Sequence, residues 1–434
     1  MENLPGPFLT DLDSRAQVKG SRDPLGAQSV WTRFGRHVVG NLTTVTNSVR
    51  DFTTVLLGYY FAERVATELG PGSEIVTFLK WEQLAAYARA YFNNDTKFRG
   101  TERVQKTLKA GTRITLSNAR TFQILSNQQT YGLWGLYSVA SATAGLVEQD
   151  PPRLTNWGLE FVERFYLPVF RDAGIPNANR VVQLLSRTEA HIELARTDYV
   201  LCATVARIMD RRILEKEREF YHFHLVEGGP NDSTQGRQAL LAKIMEKYVR
   251  EQGVALSPLL LSAFEKEARA AGLDGEPLIH RLQRIRTCES VLAPAARLFG
   301  YLQGFHGKTI DVVAKRVRDE WGARVQTLNV VDVRALHAEL FDIREDIADR
   351  WIGFAESLFQ GDYESALRLL IEQNEATMQA RGGAAWIADR QGRLHVRVRD
   401  EQGTLPAREE LATLWRFPYF LDSLLAITSE LGAE

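Results

Sequence analysis

The sequence predicts a mainly α protein. Apolar residues recur at spacings of three and four over most of its 434 residues, as amphipathic helices require. Clusters such as Gly70-Pro71-Gly72, Asn93-Asn94-Asp95 and Gly228-Gly229-Pro230-Asn231-Asp232 cut that pattern into pieces of helical length. Clean alternation of period two is confined to short stretches, chiefly Leu394 to Arg399. A chain this long exceeds one ordinary core, so roughly two to four domains are expected.

Residues 1–40 read as an extended amino-terminal arm, punctuated by Pro5, Pro7, Gly20, Pro24 and Gly26. A helical pattern runs from Leu42 to Leu69 through Val45, Val49, Phe52, Val55, Leu56, Tyr59 and Tyr60. Ser73 is placed to cap the next helix, Glu74 to Phe92. A helix near 103–110 follows, then a β-like phrase from Arg113, then helices near 118–126 and 131–144. Gly145 suits a left-handed C-cap. Val147 and Leu154 would lie on two short strands, with Asp150-Pro151-Pro152-Arg153 as the tip between them. Thr155 would cap a closing helix.

This order of helix, short strand, turned tip, strand and helix resembles the second half of a winged-helix module, over residues 97–163. The resemblance implies contact with DNA or with a partner chain, and it extends to no other part of the sequence. The expected organisation is an arm (1–40), a helical and winged-helix-like domain (41–168), a larger helical domain (169–380) and a β-hairpin with a terminal helix (381–434).

Within the helical domain, Val181 to Leu225 reads as one very long helix, with Asp198 or Arg211-Arg212 marking a bend. Further helices are expected near 235–252, 257–271, 277–303, 309–321, 332–359 and 362–380. Towards the end, Leu394, Val396 and Val398 alternate with His395, Arg397 and Arg399, a hairpin pattern with Gly392 in its turn. A last helix, 407–431, is interrupted at Pro418.

Hydrophobic content of 44% and charged content of 25% are those of a globular protein. The segment MENLPGPFLTDLD lacks a basic region followed by an apolar one. The longest uncharged segment, Thr121 to Val147, is broken by polar residues and too short in its apolar part to cross a bilayer. A soluble, cytoplasmic protein without membrane contact is expected. Cys202 and Cys288 stand far apart, which excludes a disulfide scaffold and a cysteine-rich zinc site.

A net charge of −1 argues against nucleic acid coating the whole surface. Locally the balance differs. Lys97, Arg99, Arg103, Lys106, Lys109, Arg113 and Arg120 stand against Glu102 alone, whereas Val330 to Ala380 holds eleven acidic residues against four arginines. The basic run directly precedes the wing-like segment, so these seven cations are the candidate nucleic-acid-binding residues. The helix expected after them, Leu133 to Ala144, carries no Lys or Arg, unlike a groove-reading helix.

Other motifs carry less. Gly304-Phe-His-Gly307-Lys308-Thr309 suggests a phosphate loop, but Leu302 occupies the position of the required first glycine. A GxxG clamp between helices or a plain helix–helix turn are the other readings of that segment. Glu189, His191 and Glu193 would share one helix face and offer metal ligands, or be surface acids paired with Arg187 and Arg196. Trp31, Phe34, Phe52, Tyr59, Tyr60 and Phe61 read as core, with Arg33, Arg36 and His37 available for a binding arm. No catalytic signature is present, and no cofactor or metal is implied.

The expected function is therefore a non-enzymatic, DNA-associated adaptor or scaffold subunit of a bacterial-type multi-protein complex, serving regulation, repair or defence against mobile elements including viruses. The basic segment would meet the phosphate backbone, and the long helices with the acidic 330–380 region would meet other protein subunits. The alternatives are a purely protein-binding structural subunit and a metal-dependent hydrolase or nuclease built on Glu189, His191 and Glu193.

Overall fold

The computed structural model describes residues 23–249, 255–400 and 402–432. Most of the expected arm, residues 1–22, lies outside them. The amino-terminal half of the described chain runs α1 (Ala27–Arg36), α2 (Val49–Leu69), α3 (Glu74–Phe92), α4 (Thr101–Ala110), β1 (Arg113–Ser117), α5 (Gln128–Tyr131), α6 (Leu133–Thr143), β2 (Val147–Gln149), β3 (Pro152–Leu154), α7 (Asn156–Phe161), α8 (Leu167–Asp172), α9 (Asn179–Leu185), β4 (Glu189–Glu193), α10 (Tyr199–Ile208), α11 (Glu215–Tyr221) and α12 (Arg237–Val249). It continues through α13 (Pro258–Arg269), α14 (Glu276–Leu302), α15 (Ile310–Trp321), α16 (Val330–Arg334), α17 (His337–Phe341), α18 (Glu345–Gln360), α19 (Tyr363–Ala380), β5 (Ile387–Arg390), β6 (Arg393–Val396) and α20 (Leu421–Gly432). Among the described residues the strands form three two-stranded antiparallel sheets: β1 with β4, β2 with β3, and β5 with β6. The fold is mainly α.

Two compact units divide the chain. The first is drawn from Met1–Val38 and Ala255–Tyr419, the second from Val39–Val254 and Phe420–Glu434. In the second unit α2 packs along α3. Both are buried on all sides over long stretches, Val49 to Ala62 and Thr77 to Ala90 without a break, which places them at the centre of the core. Phe52, Tyr59, Tyr60 and Phe61 are part of that core. In the first unit the 27-residue α14 packs on α1 and α13, while α18 and α19 pack on each other and β5 lies against α19. Trp31 and Phe34 are buried there, and Arg33 forms an ion pair with Asp342 at 2.8 Å.

Several helices start or stop where the sequence pattern does not. Ala27–Arg36 is helical rather than extended, because Asp23 accepts from the amides of Ala27 and Gln28 and so caps the first turn. The 42–69 helix begins only at Val49, and its first amide donates to Glu430. The expected 118–126 helix is a run of turns, with only Gln128–Tyr131 helical after it.

The long helix expected over 181–225 is absent. Glu189-Ala-His-Ile-Glu alternates exposed and buried and pairs with β1, Ile114 opposite Ile192 and Leu116 opposite Ala190. The 332–359 stretch divides into α16, α17 and α18, and 407–431 holds one 3₁₀ turn before α20.

Other features match. Val147 pairs with Leu154. Thr155 accepts from Gly158 and caps α7. Gly145 sits at φ +75° just beyond α6. The 387–396 hairpin turns at Gln391 and Gly392, both at positive φ, as a type I′ turn requires. Gly304 to Thr309 is a turn between α14 and α15, and Gly307 and Lys308 exchange backbone hydrogen bonds with Leu394. That arrangement is a helix–helix turn docked on a hairpin, with no strand leading into it.

Candidate nucleic-acid interface

The seven candidate cations all lie in the second unit, on α4, β1 and the turns that flank them. Within α4 only Val104 is fully buried, with Thr101, Gln105, Thr107 and Leu108 half-buried, while Glu102, Arg103, Lys106, Lys109 and Ala110 are exposed. Arg103 and Lys106 are one turn apart and share a face. Lys109, in the last turn, suits the negative end of the helix dipole. Gly100 precedes the helix at φ +82°, and a Cβ there would stand 2.7 Å from the Ile124 carbonyl oxygen. This close approach brings the 118–127 turns against the start of α4. Arg103 donates to the Gln123 carbonyl oxygen at 3.1 Å and ties the same two segments. Arg120 and Phe122 project from these turns, Phe122 being 37% exposed.

The structure thus brings Arg99, Arg103, Lys106 and Arg120 onto neighbouring segments. Lys97 lies before them, its amide donating to Asp95 and its carbonyl accepting from Arg89. Arg113 opens β1 opposite Glu193, a carboxylate that also accepts from the Thr112 hydroxyl, and it is the least purely cationic of the set. The positive charge of Arg99 weakly opposes the rise of the buried Glu82 carboxyl. Among the described residues none of the seven forms an ion pair.

The acidic stretch behaves differently. Glu339 pairs with Arg281 and Arg284, Asp342 with Arg33, Asp346 with Arg344 and Arg350, and Glu356 with Arg334. Four of its eleven carboxylates are thus ion-paired within the first unit.

The wing-like hairpin is short and nearly neutral, since Arg153 pairs with Glu148 at 2.6 Å. β1 belongs to the sheet with β4 and does not join this hairpin. The α6 helix is seated by Leu133, Tyr137, Ser138, Ala140 and Ser141. Its outward residues Gly135, Val139 and Thr143 bear no charge. It is a structural helix and lacks the side chains that read base edges.

Behind the basic face lies a buried polar network that the sequence did not reveal. Arg89 pairs with Asp51 at 2.7 Å and with Asp95 at 2.9 Å, and Tyr137 donates to Asp51. Glu82, wholly buried, accepts from the Leu133 amide and from the Gln128 side chain. Burial pushes its carboxyl up to about 7 against the pull of these donors. The available signal was Asp51 in the first turn of α2, and Glu82 in the middle and Arg89 in the last turn of α3, because a buried helix holds a charge only with a partner.

Glu189, His191 and Glu193 share a strand face, not a helix face. His191 Nδ1 lies 3.0 Å from the Thr115 hydroxyl. Among the described residues no group of three or more His, Cys, Asp or Glu side chains converges to hold a metal ion, and the acids form no ion pair with Arg187 or Arg196. No helix of the described residues is long and apolar enough to cross a membrane. Comparison with family models, with curated proteins and with solved structures finds no match.

Proposed function

We propose that this protein is a DNA-associated adaptor whose face formed by α4, the start of β1 and the 118–127 turns binds the phosphate backbone. One observation carries the reading. Lys97, Arg99, Arg103, Lys106, Lys109, Arg113 and Arg120 have no ion-pair partner among the described residues, while four of the eleven acidic residues of the 330–380 stretch are ion-paired within their own unit. Cations left without carboxylates favour a polyanion, and such binding is sequence-independent and salt-sensitive. The neutral α6 and the neutralised hairpin tip supply no base-reading groups, so specificity would come from associated protein subunits, in regulation, repair or mobile-element defence.

The test is binding of the full chain to labelled double-stranded DNA across a salt series, with native protein and the triple variant R103A/K106A/K109A. The expected result is measurable affinity at low salt and a variant whose salt slope is smaller by about 0.9 for each phosphate it no longer neutralises. No binding at low salt, or an unchanged variant, would overturn the proposal. A second reading, a subunit that binds only proteins, is favoured by the uncharged outer face of α6, where Val139 is 58% exposed. Salt-resistant capture of a partner without nucleic-acid affinity would select it.

A further inference from the structure

The second unit also holds a cleft of about 590 Å³, within the range of small-molecule sites. It shares no lining residue with the basic face. Its apolar wall is made by Phe165, Val169, Ile208 and Leu214. Phe165 and Tyr166 belong to a π-helical turn, Val162–Tyr166, in which the Leu167 amide reaches back to the Val162 carbonyl. Pro168 follows and has no amide to continue the ordinary ladder. Such wide turns recur at functional sites.

The polar groups at the inner end of the cleft are engaged with one another. Arg50 donates to Glu217 at 2.6 Å and 3.2 Å and to the carbonyl oxygens of Asp210 and Arg212, and Tyr166 donates to Glu217 at 2.9 Å. They fix the 210–212 segment of the rim and offer a ligand little. The mouth is different. Arg207 and Arg212 are exposed, and Arg212 has no ion pair among the described residues. Lys216 is held by Glu219 at 2.8 Å. Arg50 is spoken for by Glu217 and Lys216 by Glu219, which leaves Arg207 and Arg212 as the cations without an ion pair among the described residues at the mouth, alongside Asp210 and Glu215.

We propose that this cleft binds a free monocarboxylic acid with an apolar body. The body lies against Phe165, Val169, Ile208 and Leu214, and the carboxylate meets Arg212 and Arg207 at the mouth. Nothing in this inference depends on DNA binding.

The experiment is calorimetric titration of the full chain with decanoate and, separately, with decylammonium below their micellar concentrations. Saturable decanoate binding is expected, with decylammonium weaker. R212E should weaken decanoate about tenfold by reversing the rim charge, and V169W should abolish binding by filling the cleft. Because Arg212 is exposed, R212E keeps the test valid even if V169W fails to fold. Absence of saturable decanoate binding, equal binding of the two probes, or undiminished binding by R212E would each overturn the proposal.

Discussion

Three glutamates, Glu82 and Glu289 buried and Glu430 half-buried, do the same physical job in different places. Glu82 accepts from Leu133 at the start of α6, Glu430 from Val49 at the start of α2, and Glu289 from the amides of Arg416 and Phe417 and the Tyr419 hydroxyl. Each satisfies amides that local sequence leaves without an acceptor. The cost is desolvation, which raises all three carboxyl groups, Glu82 and Glu289 to about 7. Folded Glu289 keeps its proton up to about pH 7, whereas the unfolded chain releases it near 4.5. Its stabilising contribution is therefore complete below 4.5 and lost as pH rises through 7, a change of about 3 kcal/mol. In Glu289→Gln the amide oxygen still accepts from both backbone groups and the NH₂ donates to the Tyr419 oxygen. Thermal melts at pH 5 and pH 8 should differ less in this variant than in the native chain; an identical difference would sink the account. These hydrogen bonds are not legible in the sequence, since the partners stand 51, 381 and 127 residues apart.

At the scale of elements, the sequence is most legible where a local rule decides. Gly392 with Gln391, Gly145 beyond α6, and Thr155 at the head of α7 all follow from turn and cap chemistry, and the structure has them. It is least legible where tertiary pairing overrides helical propensity. In residues 189–193 Glu and Ala favour a helix, yet Ala190, Ile192 and Leu194 carry a period of two and bury on β1. The basic run is legible as charge. That its members lack ion pairs is not, because this depends on where distant carboxylates lie.

The junction of α5 and α6 gives an element-level prediction. A Cβ at Gly132 would fall 2.3 Å from the Gln128 carbonyl oxygen and 2.7 Å from Glu82 Oε2. Gly132→Ala should destabilise the protein by about 1–3 kcal/mol, read from urea unfolding. A variant as stable as native would show that the junction relaxes freely.

For the whole molecule, opposing titrations set a stability optimum. Glu82 and Glu289 favour folding below about 7. Burial alone would raise Asp95, but the Lys97 amide with Arg89 and Arg211 outweighs it and holds the carboxyl below its ordinary value. Hydrogen bonds from Ser365 likewise lower Asp362. A depressed carboxyl loses its contribution as pH falls towards its folded value. The melting temperature should thus peak on the acidic side of neutrality, between about pH 4 and pH 7. A maximum above pH 8 would show that these buried groups do not govern the profile.

The two units are interleaved along the chain: Val39–Val254 is completed by Phe420–Glu434, and Met1–Val38 by Ala255–Tyr419. In the second unit α20 packs on α12, and its Ser423 donates to the Thr43 carbonyl oxygen. During synthesis, then, the segment made earlier must wait for the one made later. The unit assembled around α14 has all its parts once Tyr419 has emerged, while the unit bearing the basic face stays open, with the apolar side of α12 uncovered, until α20 leaves the ribosome.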